Sequence, residues 1–187
     1  MFSLSQRVQY IANFSMTVGL VIVALIIGSS HLDFFQKGIL RNSQAAIANI
    51  KPIVGFRTSR FYGAANGHPK ENTRIAFDLN TDLSGLFNWN TKQVFVYLTA
   101  EYNNTEKGTL NEVTFWDAIL PDADHAIIKL ENTRSKYSVW DYTGDLSGKD
   151  LQFKLHWNVQ PHVGPLMYGV AQGDDIIVNV PKPESKV

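Results

Sequence analysis

Two hydrophobic rhythms divide this chain. From Val8 to Leu32, "VQYIANFSMTVGLVIVALIIGSSHL", there is no Lys, Arg, Asp or Glu, and Val18 to Ile27 is almost wholly apolar. A helix rises ~1.5 Å per residue, so about 20 residues cross the ~30 Å hydrocarbon layer of a bilayer. A soluble helix of that length would carry a polar stripe. The run therefore predicts a membrane-spanning helix over 12–32, behind a short tail at 1–11. Residues 33–71 read as a partly packed connector, punctuated by Gly38, Pro52, Gly55, Gly63 and Gly67. Within it, "RNSQAAIANI" holds Ala46, Ile47 and Ile50 at roughly helical spacing and predicts a short helix.

From Asn72 to the end the period becomes two, and a β-domain over 72–187 is expected. "TRIAFDL" puts Ile75, Phe77 and Leu79 on one face. "LQFKLHWNV" sets Phe153, Leu155, Trp157 and Val159 against Gln152, Lys154, His156 and Asn158. "EVTFWDAIL" places Val113, Phe115 and Ile119 on one side and Trp116 on the other. "HAIIKL", "SKYSVWDY" and "DDIIVNV" supply further short runs, divided by turn signals such as "YNNTEKGT" and "TGDLSGKD". Short strands without long intervening helices predict an antiparallel β-sandwich or barrel, of which the sandwich is taken. The fold class is thus mostly β with one N-terminal transmembrane helix. One strand is unusual. In "VFVYLTAEY", Val94, Val96, Leu98 and Ala100 face one way, yet Phe95 and Tyr97 keep the other face apolar too. An antiparallel strand ordinarily wets one face, so a second cover is expected.

Composition narrows the chemistry. The formal net charge is zero, which argues against nucleic acid, whose phosphates demand a basic surface. The chain has no cysteine, so disulfides, thiolates and Cys-held zinc are excluded. No G-x-S-x-G turn, S-x-x-K pair, H-E-x-x-H helix or phosphate loop occurs. Ser84 and Ser147 sit beside glycines and read as turn residues; His125, His156 or His162 would have to approach one to make a nucleophile. "DADH", ending at His125, reads as a polar turn rather than a metal site. No catalytic residue, metal or cofactor is expected.

Asn103 opens the sequon "NNT" at an expected hairpin tip and is a candidate glycosylation site. A second match, at Asn13, lies in the expected membrane helix, where it is unusable. Phe87 and Trp89 stand in a polar loop before the two-faced strand. With Phe95 and Tyr97 they are candidate partner-binding residues, since exposed aromatics anchor interfaces.

The stretches "LFNWNTKQVFVYLTAEY", "EVTFWDAI", "RSKYSVWD" and "LQFKLHWNVQPHVG", with "RTSRFYG" and "FDLNTDLSGLFNWN", are similar to the signal peptidase complex subunit 3 family, in particular its budding-yeast form. The resemblance runs along essentially the whole chain. It implies a single-pass type II protein of the endoplasmic reticulum membrane, with a cytosolic amino terminus and a lumenal β-domain. It further implies a non-enzymatic subunit that supports the catalytic subunit during removal of signal sequences, in company with the other subunits of the complex. Animal members carry a sequon nearer the penultimate strand, where this chain has "DLSGKDLQF", so Asn103 stands on its own sequence. A different reading is an anchored sandwich that binds glycans through exposed Trp residues; a third is a hydrolase assembled from distant His and Asp residues.

Arg7, the apolar run, Gly28 and Ser30 also resemble a cleavable signal peptide, but the uncharged stretch exceeds the usual ~7–15 residue core. The anchor should therefore be retained. Intact-mass measurement of the mature protein should find the residues before Ser30 still attached; a chain beginning near His31 would refute the anchor.

Overall fold

The computed structural model describes residues 3–38, 43–57, 70–104, 108–141, 146–173 and 176–182. The first element, α1, spans Leu4–Lys37. It outruns the expected span at both ends, and the expected tail is helical from Leu4 onward. Side chains build its termini. The Gln6 amide donates to Ser3 Oγ (3.4 Å) and the Ser3 amide donates to Gln6 Oε1 (3.1 Å), a reciprocal cap for otherwise orphaned donors. Gly38 stops the helix at φ 62°, a left-handed conformation open to glycine. Asp33 and Lys37 pair across one turn at 2.9 Å. Most of the apolar run is exposed on every side, as a lipid-facing helix requires. Within α1, Ser30 and Phe34 are buried, where the helix meets the β-domain.

That domain contains β1 (Ala45–Arg57), β2 (Lys70–Asp82), β3 (Thr91–Asn104), β4 (Thr109–Leu120), β5 (Ile127–Arg134), β6 (Asp150–Pro161), β7 (Met167–Val170) and β8 (Ile176–Asn179). Every strand pairing is antiparallel. One sheet has the order β1-β2-β5; the other runs β4-β3-β6-β7, with β8 also paired to β6. Period-two patterning tells the sheets how to face. Ile75, Phe77 and Leu79 of β2 are buried from one sheet. Val94, Val96, Leu98 and Ala100 of β3, and Leu151, Phe153, Leu155, Trp157 and Val159 of β6, are buried from the other. Phe77 meets Trp116 edge-on across the gap, with ring centroids 6.0 Å apart. The expected antiparallel sandwich with one N-terminal apolar helix is the fold observed.

Two local expectations are corrected. Of the segment read as a short helix, Ala45 to Ile50 is part of β1; Arg41 and Asn42 lie outside the described residues. A bulge between Ala48 and Lys51 shifts the register, and Asn49 adopts φ 51°. The inward positions become Ala45 and Ile47, then Ile50, Pro52 and Val54. The phase shift leaves Ile47 and Ile50 three apart on one face, which imitates helical spacing. The connector read over 33–71 thus includes a strand of 13 residues. In β4 a second irregularity, opposite Leu98 and Thr99, turns both Phe115 and Trp116 inward and leaves Ile119 60% exposed. Trp116 is core and Ile119 is surface, the reverse of strict alternation. "SKYSVWDY" is not a full strand: its described part contributes a bridge from Val139 to Thr73.

Trp157 fixes the middle of the larger sheet. It is 1% exposed, donates from Nε1 to Ser43 Oγ at 3.1 Å, and lies over Gly169, its cross-strand partner on β7. A Cβ at Gly169 would lie 2.1 Å from Trp157 Cζ2. Gly169→Ala should destabilise the full-length protein by about 1–3 kcal/mol, the usual range for overpacking a core. Gly55→Ala on β1, where a Cβ meets nothing within 4 Å, should change little. Denaturation midpoints of the two variants in the same detergent check the contrast.

Candidate functional site

β3 is the central strand of its sheet, so its two faces meet different worlds. The inner face is core. On the outer face, cross-strand pairing brings Phe95 beside Ile119 of β4 and Asn158 of β6, and Asn158 beside Tyr168 of β7. The next row holds Asp117, Tyr97, His156 and Val170. Phe95 stacks on Tyr97 (centroids 5.4 Å, planes 24° apart), and Tyr97 stacks on His156 (5.1 Å, 15°). Ile119 and Tyr168, at opposite sides of this aromatic band, are 60% and 66% exposed. Among the described residues the other sheet covers only the inner face.

Polar atoms are buried within the band without partners. His156 Nε2 and the Asn158 side-chain carbonyl are inaccessible to water and accept or donate no hydrogen bond among the described residues. Glu112 Oε1 lies 3.4 Å from His156 Nε2, in a geometry that makes no hydrogen bond. An unsatisfied buried polar atom costs about 1–3 kcal/mol. A partner that brings a donor to Asn158 and a polar hydrogen or acceptor to His156 would relieve that cost.

The expected quartet of partner-binding residues does not form one patch. Phe95 and Tyr97 share the outer face. Phe87 is partly buried and packs against the core. Trp89 is 61% exposed, in the loop between Leu86 and Thr91, next to the anchor. Sequence reading missed His156 and Asn158 as members of the band. Their alternation on β6 was visible, but it was read as a wet face because nothing local reveals the neighbouring strand.

The other candidates resolve into ordinary structure. The Ser84 amide donates to Asp82 Oδ1 (2.9 Å) at the rim of an open groove of about 750 Å³. Ser147 Oγ donates to Glu71 Oε2 at 2.5 Å. His125 closes its own turn on Asp122, with Nδ1 at 2.6 Å from Oδ1. Among the described residues, no group of three His, Asp or Glu could hold a metal. Of the exposed Trp residues, Trp140 takes Lys70 Nζ over its ring at 3.5 Å. It sits by the first residue of β2, whereas Trp89 follows the last, so the two do not form one sugar platform. Asn103 is exposed near the end of β3; Thr105 of its sequon lies outside the described residues. Twelve residues of strand separate it from Thr91 beside the anchor, about 40 Å at ~3.3 Å per residue.

The junction between helix and sandwich is polar and closely fitted. Asn88 Nδ2 donates to Ser30 Oγ at 3.0 Å. Asn90, 3% exposed, donates from Nδ2 to the Val163 carbonyl (2.8 Å) and accepts the Val163 amide on Oδ1 (3.1 Å). Gly164 presses on the helix: at φ 123°, its Cβ would lie 3.1 Å from Ile27 Cγ1.

Two histidines should titrate on opposite sides of 6.5. Burial holds the His156 pKa down, only partly opposed by Glu112 and Glu101, while Lys154 adds to the depression. The hydrogen bond and charge of Asp122 raise His125. A lowered folded pKa means that the unfolded chain takes the proton more readily. The stability tied to neutral His156 is therefore present above pH 6.5 and is lost as the pH falls below it. NMR titration of the full-length protein should place the His156 ring resonances below 6.5 and those of His125 above. A His156 that titrates above 6.5 would contradict its burial.

Comparison with known proteins supplies the wider frame. The signal peptidase subunit family matches residues 1–182. Signal peptidase complex subunit 3 of Saccharomyces cerevisiae is 53% identical over 175 residues, covering 93% of this chain and 94% of that protein. The Debaryomyces hansenii protein of the same name is 47% identical over 169 residues, 90% of this chain and 89% of its own. The human one is 38% identical over 112 residues, 59% and 60% respectively. Matched over residues 1–182 and aligned with the yeast relative over 93% of its length, this chain belongs to the signal peptidase subunit family.

Proposed function

We propose that this chain is a non-catalytic, single-pass subunit of the endoplasmic reticulum signal peptidase complex. The observation that carries the reading is the family match over nearly the whole chain. In this reading α1 is a type II signal anchor, with its amino terminus cytosolic and the sandwich lumenal. In this reading the peptidase chemistry belongs to the catalytic partner. Asn103, exposed and about 40 Å up a strand from the membrane end, is a glycan acceptor in a lumenal domain.

The outer sheet face is where the catalytic subunit docks. Phe95, Tyr97 and Tyr168 give it an aromatic surface, and His156 and Asn158 give it buried polar atoms awaiting partners. Phe87 packs partly against the core and Trp89 lies in the loop beside α1, so neither is on this face. Truncating a central interface aromatic commonly costs ~2 kcal/mol or more, about thirtyfold in affinity. Tyr97→Ala should thus lower recovery of the catalytic subunit with the tagged full-length chain, and signal-sequence cleavage should fall in parallel. Full recovery with a normally folded Tyr97→Ala chain would remove the docking role from this face, and a tagged wild-type chain that brings down no peptidase would remove the function itself. For topology, protease added to intact microsomes should spare everything after about Asp33, and glycosidase should shift the band.

A further inference from the structure

The end of the sandwich beside the anchor has unusual chemistry. The segments 83–91 ("LSGLFNWNT") and 160–173 ("QPHVGPLMYGVAQG") contain no Lys, Arg, Asp or Glu. They include β7 and the two loops, 83–90 and 162–166, that meet one face of α1 at Ser30 and Ile27. Trp89 projects from one at 61% exposure and Leu166 from the other at 48%. A loop tip facing water ordinarily carries charge; these carry an indole and an isobutyl group.

The anchor sets their depth. Val8 to Leu32 is 25 uncharged residues, with Arg7 before and Asp33 after. That run is about 37 Å long against a hydrocarbon layer of ~30 Å, so a centred span reaches its boundary within about two or three residues of Leu32. Ser30 therefore lies at the boundary, and Asn88 is bonded to it. Gly164 reaches further. It packs on Ile27, roughly 4.5 Å closer to the bilayer centre at ~1.5 Å per residue.

The loops also satisfy their polar groups without water. Asn90 bonds both the amide and the carbonyl of Val163, and its own carbonyl accepts the His162 amide at 2.7 Å. Thr91 Oγ1 donates to the Leu86 carbonyl at 3.1 Å and accepts the Asn88 amide at 3.1 Å. The Asn90 amide bonds Asn88 Oδ1 at 2.9 Å. Backbone that approaches hydrocarbon must be bonded internally. Trp is the side chain best suited to the headgroup level, where an apolar ring and one polar N–H are both accommodated.

We propose that Trp89 and Leu166 are inserted in the headgroup region of the bilayer, so that the sandwich rests on the membrane through two uncharged loops. The ligand is phospholipid, contacted at the same leaflet where α1 emerges. The proposal rests on α1 spanning a membrane and is independent of which protein docks on the outer sheet face.

The test uses the full-length chain in phosphatidylcholine nanodiscs, carrying Trp140→Phe to leave Trp89 as the exposed indole. Spin-labelled phosphatidylcholine with the label near the headgroup should quench Trp emission more than lipid labelled near the chain end. Trp89→Phe should abolish most of the difference. Because the chain has no cysteine, Leu166→Cys provides a second readout: a polarity-sensitive dye attached there should shift to the blue in nanodiscs relative to the same site in water-exposed controls. Trp89 emission that ignores both lipid quenchers but yields to aqueous acrylamide would overturn the proposal. So would quenching seen in the isolated chain but lost in the purified complex, which would give Trp89 to a protein neighbour instead. In either case, recovery of the catalytic subunit with the wild-type chain would leave the proposed function standing.

Discussion

The pairing of β3 with β4 on one side and β6 on the other is the constraint from which the rest of the molecule follows. A strand hydrogen-bonded along both edges has no freedom of register without turning its whole side-chain set over. Val94, Val96, Leu98 and Ala100, all fully buried, hold that register by facing the smaller sheet. Everything opposite is then fixed as well. Phe95, Tyr97, His156 and Asn158 become neighbours because the inner residues of the same strands have already chosen their side. The aromatic band is a consequence of core formation, and it is kept apolar although folding alone would permit a wetter surface.

The same strand links the two ends of the domain. It begins at Thr91, whose hydroxyl organises the Asn88–Asn90 loop at the anchor, and it runs toward Asn103. One element thus spans the distance between the membrane-proximal loops and the candidate glycan site. The proposed docking face lies along its side. The proposed lipid contact, the proposed docking face and the candidate glycan site are separated by geometry.

Much of this was legible in the sequence where the local pattern was undisturbed. β2 alternates without interruption, and its apolar core residues Ile75, Phe77 and Leu79 could be named from the letters, as could Phe153, Leu155, Trp157 and Val159 of β6, but not the buried Asn158 between the last two. The long N-terminal apolar helix was equally plain, since an uncharged run of that length is long enough to span a bilayer. The errors cluster at irregularities. In β1 the bulge at Asn49 put Ile47 and Ile50 on one side, and a period-two pattern with a slipped phase looks like a period near three and a half. In β4 one extra residue brought Phe115 and Trp116 together in the core. The composition of the site was readable but its assembly was not. Phe87, Trp89, Phe95 and Tyr97 are close in sequence, yet one packs partly inward, one stands in the loop beside α1 and two lie on the sheet. Proximity along the chain says little about a surface built from four strands.

The unbroken course of α1 has a mechanical meaning. It passes through the level of Ser30 without a hinge and stays helical to Lys37, while Asn88 and Gly164 hold one face of it at successive turns. A domain held in this way turns with its anchor. Helix tilt adjusts to bilayer thickness, over an ordinary range of about 0–40°. A change of about 10° in that tilt would sweep the far end of β3, ~40 Å away at ~3.3 Å per residue, through roughly 7 Å. With α1 spanning a bilayer, the thickness of that membrane would thereby be converted into the position of a surface at the far end of the domain.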